Sequence, residues 1–477
     1  MKRFLLLQGF VLAIGASAQT GYEVKVTFRP FKNQFIYLGH YYGKQYPIID
    51  SAKLDANSQA IFKGAQKLPG GIYLIGYPNK AGFFEILIDK QQHFSVIADT
   101  LTMKKGIQFL NSSDNTLFNS YQQYMSAKGK EISDAQQQYK KAASAKDSAA
   151  WSAQLNKLDK TVQAYREDLI KKNPGYILSA LLVAMREPEM PALLQHPKTK
   201  TDSADAYYYF KNHYWDGVEF WDGRLAYTTF FEDKVDKYYN QLVAPHPDSA
   251  IKEMDRMLGF ASINDEMYKY LLLKFVNRYL NQKYMWEDAV FVHLFEKYFA
   301  SKNYSWLTPQ GKKTITDRAY SLMANIMGTP AADIELPDST GATKTLYADS
   351  AAYTLVCFWD PTCGHCKETL PKLDSVYQSK WKASGLKIFA IARETDGTKQ
   401  DWLDFITTHK LKEWTNVYYT KAADKARTDA GIPGYSQLYD VLTFPTLYLL
   451  DKDKRIVAKK LSLEQIDEVL QVKTRGQ

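Results

Sequence analysis

All three cysteines of the 477-residue chain lie within sixteen residues, in the stretch VCFWDPTCGHCKETLP from Val356 to Pro371. Cys363 and Cys366 bracket Gly364 and His365, and Cys357 stands six residues before the first of them. Thiols so spaced could be a redox pair, half of a metal site, or filling for a core. A zinc site needs about four ligands. The sequence has no second cysteine pair, and His40, His93, His196, His213, His246, His293 and His409 are scattered, so no metal is expected. Tyr353–Trp359 is an apolar run that reads as a buried strand, and Leu370, Leu373, Val376 and Tyr377 fall on one helical face. The pair therefore sits where a strand ends and a helix begins. Unpaired backbone N–H groups and the positive end of the helix dipole stabilise a thiolate on Cys363 there. That thiolate can attack a disulfide, and Cys366, one helical turn on, is near enough to resolve the mixed disulfide.

The length suggests about three domains to carry this turn. Residues 329–477 alternate strand and helix patterns: AYTLVCFW, GLKIFAIA, NVYY and PTLYLLDKDKRIVAK, then a helix around SLEQIDEVLQ. A mixed α/β sheet follows from that order. Residues 19–104 instead read as a small all-β, sandwich-like domain. Val24, Val26 and Phe28 alternate, further short strands follow, and turn residues such as Pro69-Gly70-Gly71 separate them. Residues 105–328 read as an α-helical middle domain. Trp151, Leu155, Leu158, Val162, Tyr165 and Leu169 recur at spacings of 4, 3, 4, 3 and 4, ending at Asn173-Pro174-Gly175. That seam is shorter than three heptads, so it predicts an intramolecular helical hairpin rather than a coiled-coil dimer. The aromatic block YYYFKNHYWDGVEFWDGRLAYTTFFEDKVDKYY could stack sugars or peptides, but core and interface packing is the expectation.

Residues 1–18 form a separate object. Lys2 and Arg3 precede the apolar FLLLQGFVLAIG, and Ala16 and Ala18 supply small residues, which is the pattern of a secretory signal peptide cut before Gln19. No cysteine stands near the cut, so no lipid anchor is expected, and export to the periplasm follows. Net charge is +9, or 9 − 2 = +7 without Lys2 and Arg3, with both signs interspersed. Nucleic-acid binding would need a concentrated basic face and is not expected. Three cysteines are too few for a disulfide scaffold.

The C-terminal region resembles the thioredoxin superfamily, specifically its exported TlpA-like, redoxin-type thiol-disulfide oxidoreductases. The resemblance rests on FWDPTCGHCKETLP, with Pro371 five residues after Cys366, on YDVLTFPTLYLLD, and on the long segment between them containing WLDFITTHKLKEWTNVYY. It implies a thioredoxin fold, catalysis by Cys363 and Cys366, and a cis-proline at Pro445 beside the pair. Phe444, just before it, would hold substrate through its backbone, and Trp359 would be a lid or wall near the sulfurs, contacting substrate. Protein thiols and disulfides would be the substrates, an upstream membrane electron carrier or other redox protein the partner, and no cofactor is implied. A peroxiredoxin would carry a threonine three residues before its reactive cysteine. Thr362 is one residue before Cys363 and four before Cys366. IIDSAKLD with GGIYLI, and KNHYWDGVEFWDGRL with YSWLTPQGKKTITDRA, resemble two uncharacterised families found ahead of such domains. They imply architecture and no chemistry.

The spacer departs from the usual TlpA-like one, which ends in proline. His365, with Gly364, is expected to tune the pair, because a cation near the Cys363 thiolate stabilises the reduced form and makes the disulfide more oxidising. The direction of electron flow thus stays open. Cys357 occupies the position of thioredoxin's buried aspartate; it is expected to be a small core residue, with a third redox thiol as the alternative. The upstream domains would choose the partner, orient the catalytic domain, or build a homo-oligomer through the helical region. The other function class is an envelope binding or scaffold protein that uses the thioredoxin domain for recognition.

Overall fold

The computed structural model describes residues 21–103, 106–396 and 399–475, so the expected leader, residues 1–18, lies outside the described residues. Two compact units divide the chain, one reaching to Val243 and taking in Met257–Leu271, the other made of Ala244–Arg256 and Leu272–Gln477.

The first unit opens with eight strands: β1 (Tyr22–Arg29), β2 (Phe35–His40), β3 (Ile48–Lys53), β4 (Gln59–Gly64), β5 (Gly71–Gly76), β6 (Phe83–Ile88), β7 (His93–Asp99) and β8 (Gln108–Leu110). They form two four-stranded sheets, ordered β4-β1-β7-β8 and β3-β2-β5-β6. Every pairing is antiparallel except β1 with β7. Because strand side chains alternate between faces, Val24, Val26 and Phe28 meet Ile36, Leu38, Ile86 and Ile88 in one core. β6 is an edge, and an edge leaves backbone groups unpaired. Asn115 closes it, donating to the Leu87 carbonyl at 2.8 Å and accepting from the Leu87 N–H at 2.7 Å.

Asn115 lies on α1 (Ser113–Lys141), which Ser112 caps. α1 pairs with α2 (Ala145–Lys172), and three further helices follow in this unit: α3 (Ile177–Ala184), α4 (Lys200–His213) and α5 (Thr229–Gln241). The predicted seam faces inward. Leu158, Val162 and Leu169 are buried, and Tyr165 stacks on Tyr124 with ring centroids 3.7 Å apart. Most of the aromatic block is core: Tyr214, Phe220, Phe231, Tyr238 and Tyr239 are buried, while Trp221 and Tyr208 are exposed. In the WDGRL segment Arg224 forks onto Asp222 and reaches Asp89, with Arg224–Asp89 at 3.0 Å. Gly70 permits that approach, since a Cβ there would lie 2.8 Å from the Arg224 side chain.

Helices α6 (Pro247–Ala261) and α7 (Asp265–Leu280) contribute residues to both units. The second unit continues through α8 (Glu287–Tyr298) and α9 (Pro309–Met323), then a short hairpin of β9 (Glu335–Pro337) and β10 (Thr343–Thr345). Then come β11 (Tyr353–Trp359), α10 (Gly364–Val376), β12 (Leu386–Arg393), α11 (Lys399–Thr408), β13 (Thr415–Tyr419), α12 (Lys421–Asp429), α13 (Tyr435–Leu438), β14 (Thr446–Asp451), β15 (Ile456–Lys459) and α14 (Leu463–Arg475). The sheet order is β13-β12-β11-β14-β15. β11, β12 and β13 run parallel, and β14 and β15 are antiparallel to their neighbours. This mixed sheet, behind an all-β region and a helical region, is the thioredoxin fold that the sequence implied. Central β11 is buried on both faces. Leu355, Cys357 and Trp359 join the core that contains α10, and Val356 and Phe358 join the core on the other face. That is why the run is apolar without alternation.

Candidate redox site

The site stands at the C-terminal end of β11. The chain turns there, with the Cys363 N–H donating to the Asp360 carbonyl at 3.2 Å, and enters α10 with Cys363 as its N-cap. No side chain caps this helix, so its first turn has no side-chain acceptor for its N–H groups at the Cys363 end. The Cys363 carbonyl accepts from the Lys367 N–H at 3.1 Å, the first bond of the helix. One turn on, Cys366 points inward and is fully buried. Pro371 lies inside the same helix.

A second segment meets this turn from 81 residues away. Phe358 pairs with Thr446 across β11 and β14, and that register carries the residues before Thr446 to the end of β11. The Phe444–Pro445 bond is cis. The Cys363 thiol donates to the Phe444 carbonyl at 3.8 Å, a long contact with sulfur as the donor. Phe444 and Pro445 are half-buried, and Leu442 beside them is 76% exposed.

The two thiols differ in environment. Cys363 is partly exposed, and Gly364 and His365 are exposed at the surface of the turn. Cys366 is pushed well above the ordinary thiol range, chiefly by burial, with the Cys363 thiol and the Asp360 charge acting in the same direction; the Asp360 main-chain N–H opposes them. Cys357 is pushed up too, by burial and then by the neighbouring Cys366. All three cysteines are free thiols here. Among the described residues no group of three or more His, Cys, Asp or Glu side chains is arranged to hold a metal ion.

The structure brings Cys363, Cys366, Gly364, His365, Phe444 and Pro445 to one end of the sheet, with Cys357 beneath them in the core. Trp359 needs a correction. It is fully buried, packs on Phe405 with centroids 4.9 Å apart, and so backs the core behind the pair instead of contacting substrate. The reason is register: residues 355, 357 and 359 of β11 share the face covered by α10.

Sequence reasoning missed Asp360, a buried carboxylate on the turn itself. The Asp-Pro pair between the strand and the first cysteine was its only signal. Two groups outside the turn also escaped notice. Arg318 on α9 pairs with Asp440 at 2.5 Å and donates to the Leu280 carbonyl, and Lys460 also pairs with Asp440, five residues before Pro445. Thr395, after β12, donates to the Asp360 carboxylate.

Comparison with known families matches residues 327–459 to the AhpC/TSA family and residues 135–322 to a domain of unknown function, DUF5106. Among solved structures, a thioredoxin-like protein from Bacteroides caccae is similar at 23% identity, covering 60% of this chain and 98% of that one, with a TM-score of 0.44. A domain of a possible thiol-disulfide isomerase from Cytophaga hutchinsonii is 33% identical over 31% of this chain and 94% of its own, TM-score 0.27. The thioredoxin domain of a thiol-disulfide oxidoreductase from Bacteroides vulgatus is 27% identical over 30% and 95%, TM-score 0.26. A comparison with curated proteins finds no match.

Proposed function

Since the chain carries a redoxin-type domain of the thioredoxin superfamily behind further N-terminal domains, we propose that it is an exported thiol-disulfide oxidoreductase acting on protein disulfides through Cys363 and Cys366. The observation that carries this reading is the asymmetry of the pair. Cys363 is partly exposed at an uncapped helix N-terminus, and Cys366 is buried one turn behind it.

In this mechanism the Cys363 thiolate attacks one sulfur of a substrate disulfide. The substrate bond breaks, one substrate sulfur leaves as a thiolate, and a mixed disulfide remains on Cys363. Cys366 then attacks the Cys363 sulfur, forms the Cys363–Cys366 disulfide and frees the second substrate thiol. The Phe444–Pro445 loop holds the substrate chain beside Cys363. His365, in the spacer between the two cysteines, tunes the potential of the pair. In the reductive direction an upstream membrane electron carrier restores the dithiol; in the oxidative direction the same steps run backwards. The basic start and apolar run of residues 1–18 support export to the periplasm. Among the described residues no helix is long and apolar enough to cross a membrane.

The test is the reduction potential of the pair, from equilibration in glutathione buffers and trapping of free thiols. A value near that of thioredoxin, about −270 mV, makes the protein a reductase. One near the isomerases, about −180 mV, makes it an oxidase or isomerase in which His365 dominates. Cys363→Ser is expected to reduce exchange at least about a hundredfold, because it removes the attacking thiolate. If the pair never exchanges, the enzymatic reading fails and a binding role for the domain replaces it.

A further inference from the structure

Most rings of the aromatic block are core, and Trp221 is not. It is 48% exposed, and among the described residues its ring stacks on no other. Leaving an indole in water forgoes one of the largest apolar burials a side chain can make. Trp221 lines a cavity of about 590 Å³, a size usual for small-molecule sites. The cavity lies wholly within the first unit. Its walls are the turn before β5, the turn after β6, the loop after α2, the WDGRL segment and the start of α7.

The polar groups of these walls are held in place. Arg224 donates to Asp222 at 2.7 Å and to Asp89 at 3.0 Å, so each carboxylate has a partner. Asn264 accepts from the Met267 N–H at 3.0 Å, which fixes its amide and leaves the amide N–H groups to donate elsewhere. Gly223 keeps this corner tight, since a Cβ there would lie 2.8 Å from the Asn264 amide oxygen. Glu266 accepts from the Tyr227 hydroxyl at 3.0 Å and has lone pairs to spare. Lys90 donates to the Gly175 carbonyl at 3.4 Å. Glu219 is exposed and pairs with no cation among the described residues.

These groups select a chemistry. Four carboxylates (Asp89, Glu219, Asp222, Glu266) stand with two cations (Lys90, Arg224), or 2 − 4 = −2, so an anionic ligand is repelled. A cationic ligand would compete with Arg224 for Asp89 and Asp222, and with Lys269, 3.9 Å from Glu266. What remains is an open indole face beside fixed hydrogen-bond donors and acceptors. A pyranose ring matches both halves: one face of C–H groups covers the indole, and edge hydroxyls donate and accept at once. We propose that this cleft binds a neutral saccharide, with Trp221 stacked on a sugar ring and Glu219, Asn264 and Glu266 bonded to its hydroxyls. No residue of the cleft belongs to the second unit, so the inference stands apart from the redox reading.

Isothermal titration of the full-length chain tests it, with maltose, cellobiose, lactose, mannobiose and diacetylchitobiose as probes and glucuronic acid and trilysine as charged controls. At least one neutral disaccharide is expected to bind saturably, with a Kd below about 1 mM. Its affinity should change less than about twofold between about 50 and 500 mM NaCl, because the ligand carries no charge to screen. Trp221→Ala, at an exposed position, is expected to weaken binding at least about tenfold without moving the urea midpoint. Glu219→Arg, also exposed, crowds the cleft and should weaken binding at least about fivefold, which keeps the test open if the first variant does not fold. Absence of saturable binding by every neutral disaccharide overturns the proposal. So does a folded Trp221→Ala chain that binds as tightly as the wild type. Trilysine or glucuronic acid bound more tightly than any neutral sugar, with an affinity that falls as salt rises, overturns it in favour of a charged ligand.

Discussion

Within one helical turn the chain places two thiols in opposite circumstances, and that difference is what the proposed exchange would use. Cys363 stands partly exposed at an uncapped helix N-terminus, whereas Cys366 is fully buried. Its pKa is raised, so the sign is plain: the thiol form persists as pH climbs through the ordinary thiol value of about 8.5. The stability it contributes is present below that value and is lost as pH rises toward the folded one. Cys357 is raised for the same reason and adds to this alkaline loss. We therefore expect iodoacetamide to label Cys363 in the folded protein and to spare Cys366 and Cys357 from pH 6 to 8, as read by peptide mass mapping. Cys357→Val, nearly isosteric, should change stability by less than about 1.5 kcal/mol and leave exchange rates within about threefold. A tenfold loss of exchange in that folded variant would make Cys357 a third redox thiol. The positions and spacing of these residues were plain in the sequence. The burial of Trp359 was not, because which face of a central strand is covered depends on the helix packed against it.

Among the elements, the loop before β14 matters most, since it carries Pro445 to the cysteines and has no regular structure of its own. It is held from outside. Asp440, whose side chain is 1% exposed, has a positive φ of 46° and takes bonds from Arg318 of α9 and from Lys460 after β15. Arg318 in turn is fixed by the Leu280 carbonyl and by Gln282. Arg318→Ala leaves a buried carboxylate half-compensated. It is expected to cost about 3 kcal/mol in denaturant unfolding and to weaken binding of peptide disulfides more than it slows attack on a small aromatic disulfide. Equal losses on both substrates would mean that the clamp does not serve the loop. The existence of a helix over 309–323 and of the strand after Pro445 is a matter of local pattern; the clamp between them joins residues 122 apart and has no local signature.

On the scale of the whole molecule, helices α8 and α9 share a compact unit with the mixed sheet, although the two family matches meet just after α9. A buried cluster joins them to it: Lys459 of β15 pairs with Asp288 of α8 and donates to the Asn325 side chain at 2.7 Å and carbonyl at 2.6 Å. Burial pushes Asp288 up and Lys459 down, so both shifts favour the neutral forms. The raised Asp288 contributes stability only below its unfolded value of about 3.9, and the lowered Lys459 only above its unfolded value of about 10.4. Across the neutral range the charged pair is therefore a cost held in check by its mutual attraction. Asp288→Asn alone should destabilise by about 3–5 kcal/mol, whereas replacing both residues, Asp288→Leu with Lys459→Met, should be neutral or stabilising. Urea unfolding of the single and double variants decides it, and a double variant less stable than the wild type would show that the pair is a net source of stability.

By itself the sequence determined what is short-range. The strand–turn–helix around the cysteines, the alternation in β1, the seam of α2 and the absence of a second cysteine pair are patterns over a few residues, set by side-chain periodicity and by which residue types can do the chemistry. Tertiary structure alone decided which groups surround the thiols. Trp359 is buried because of α10, Phe444 reaches Cys363 because β14 pairs with β11 in one register, and the Asp360 carboxylate is completed by a threonine from beyond β12. These are contacts between residues distant in the chain. Their energies come from burial and from desolvated charge, quantities that exist only once the sheet has closed.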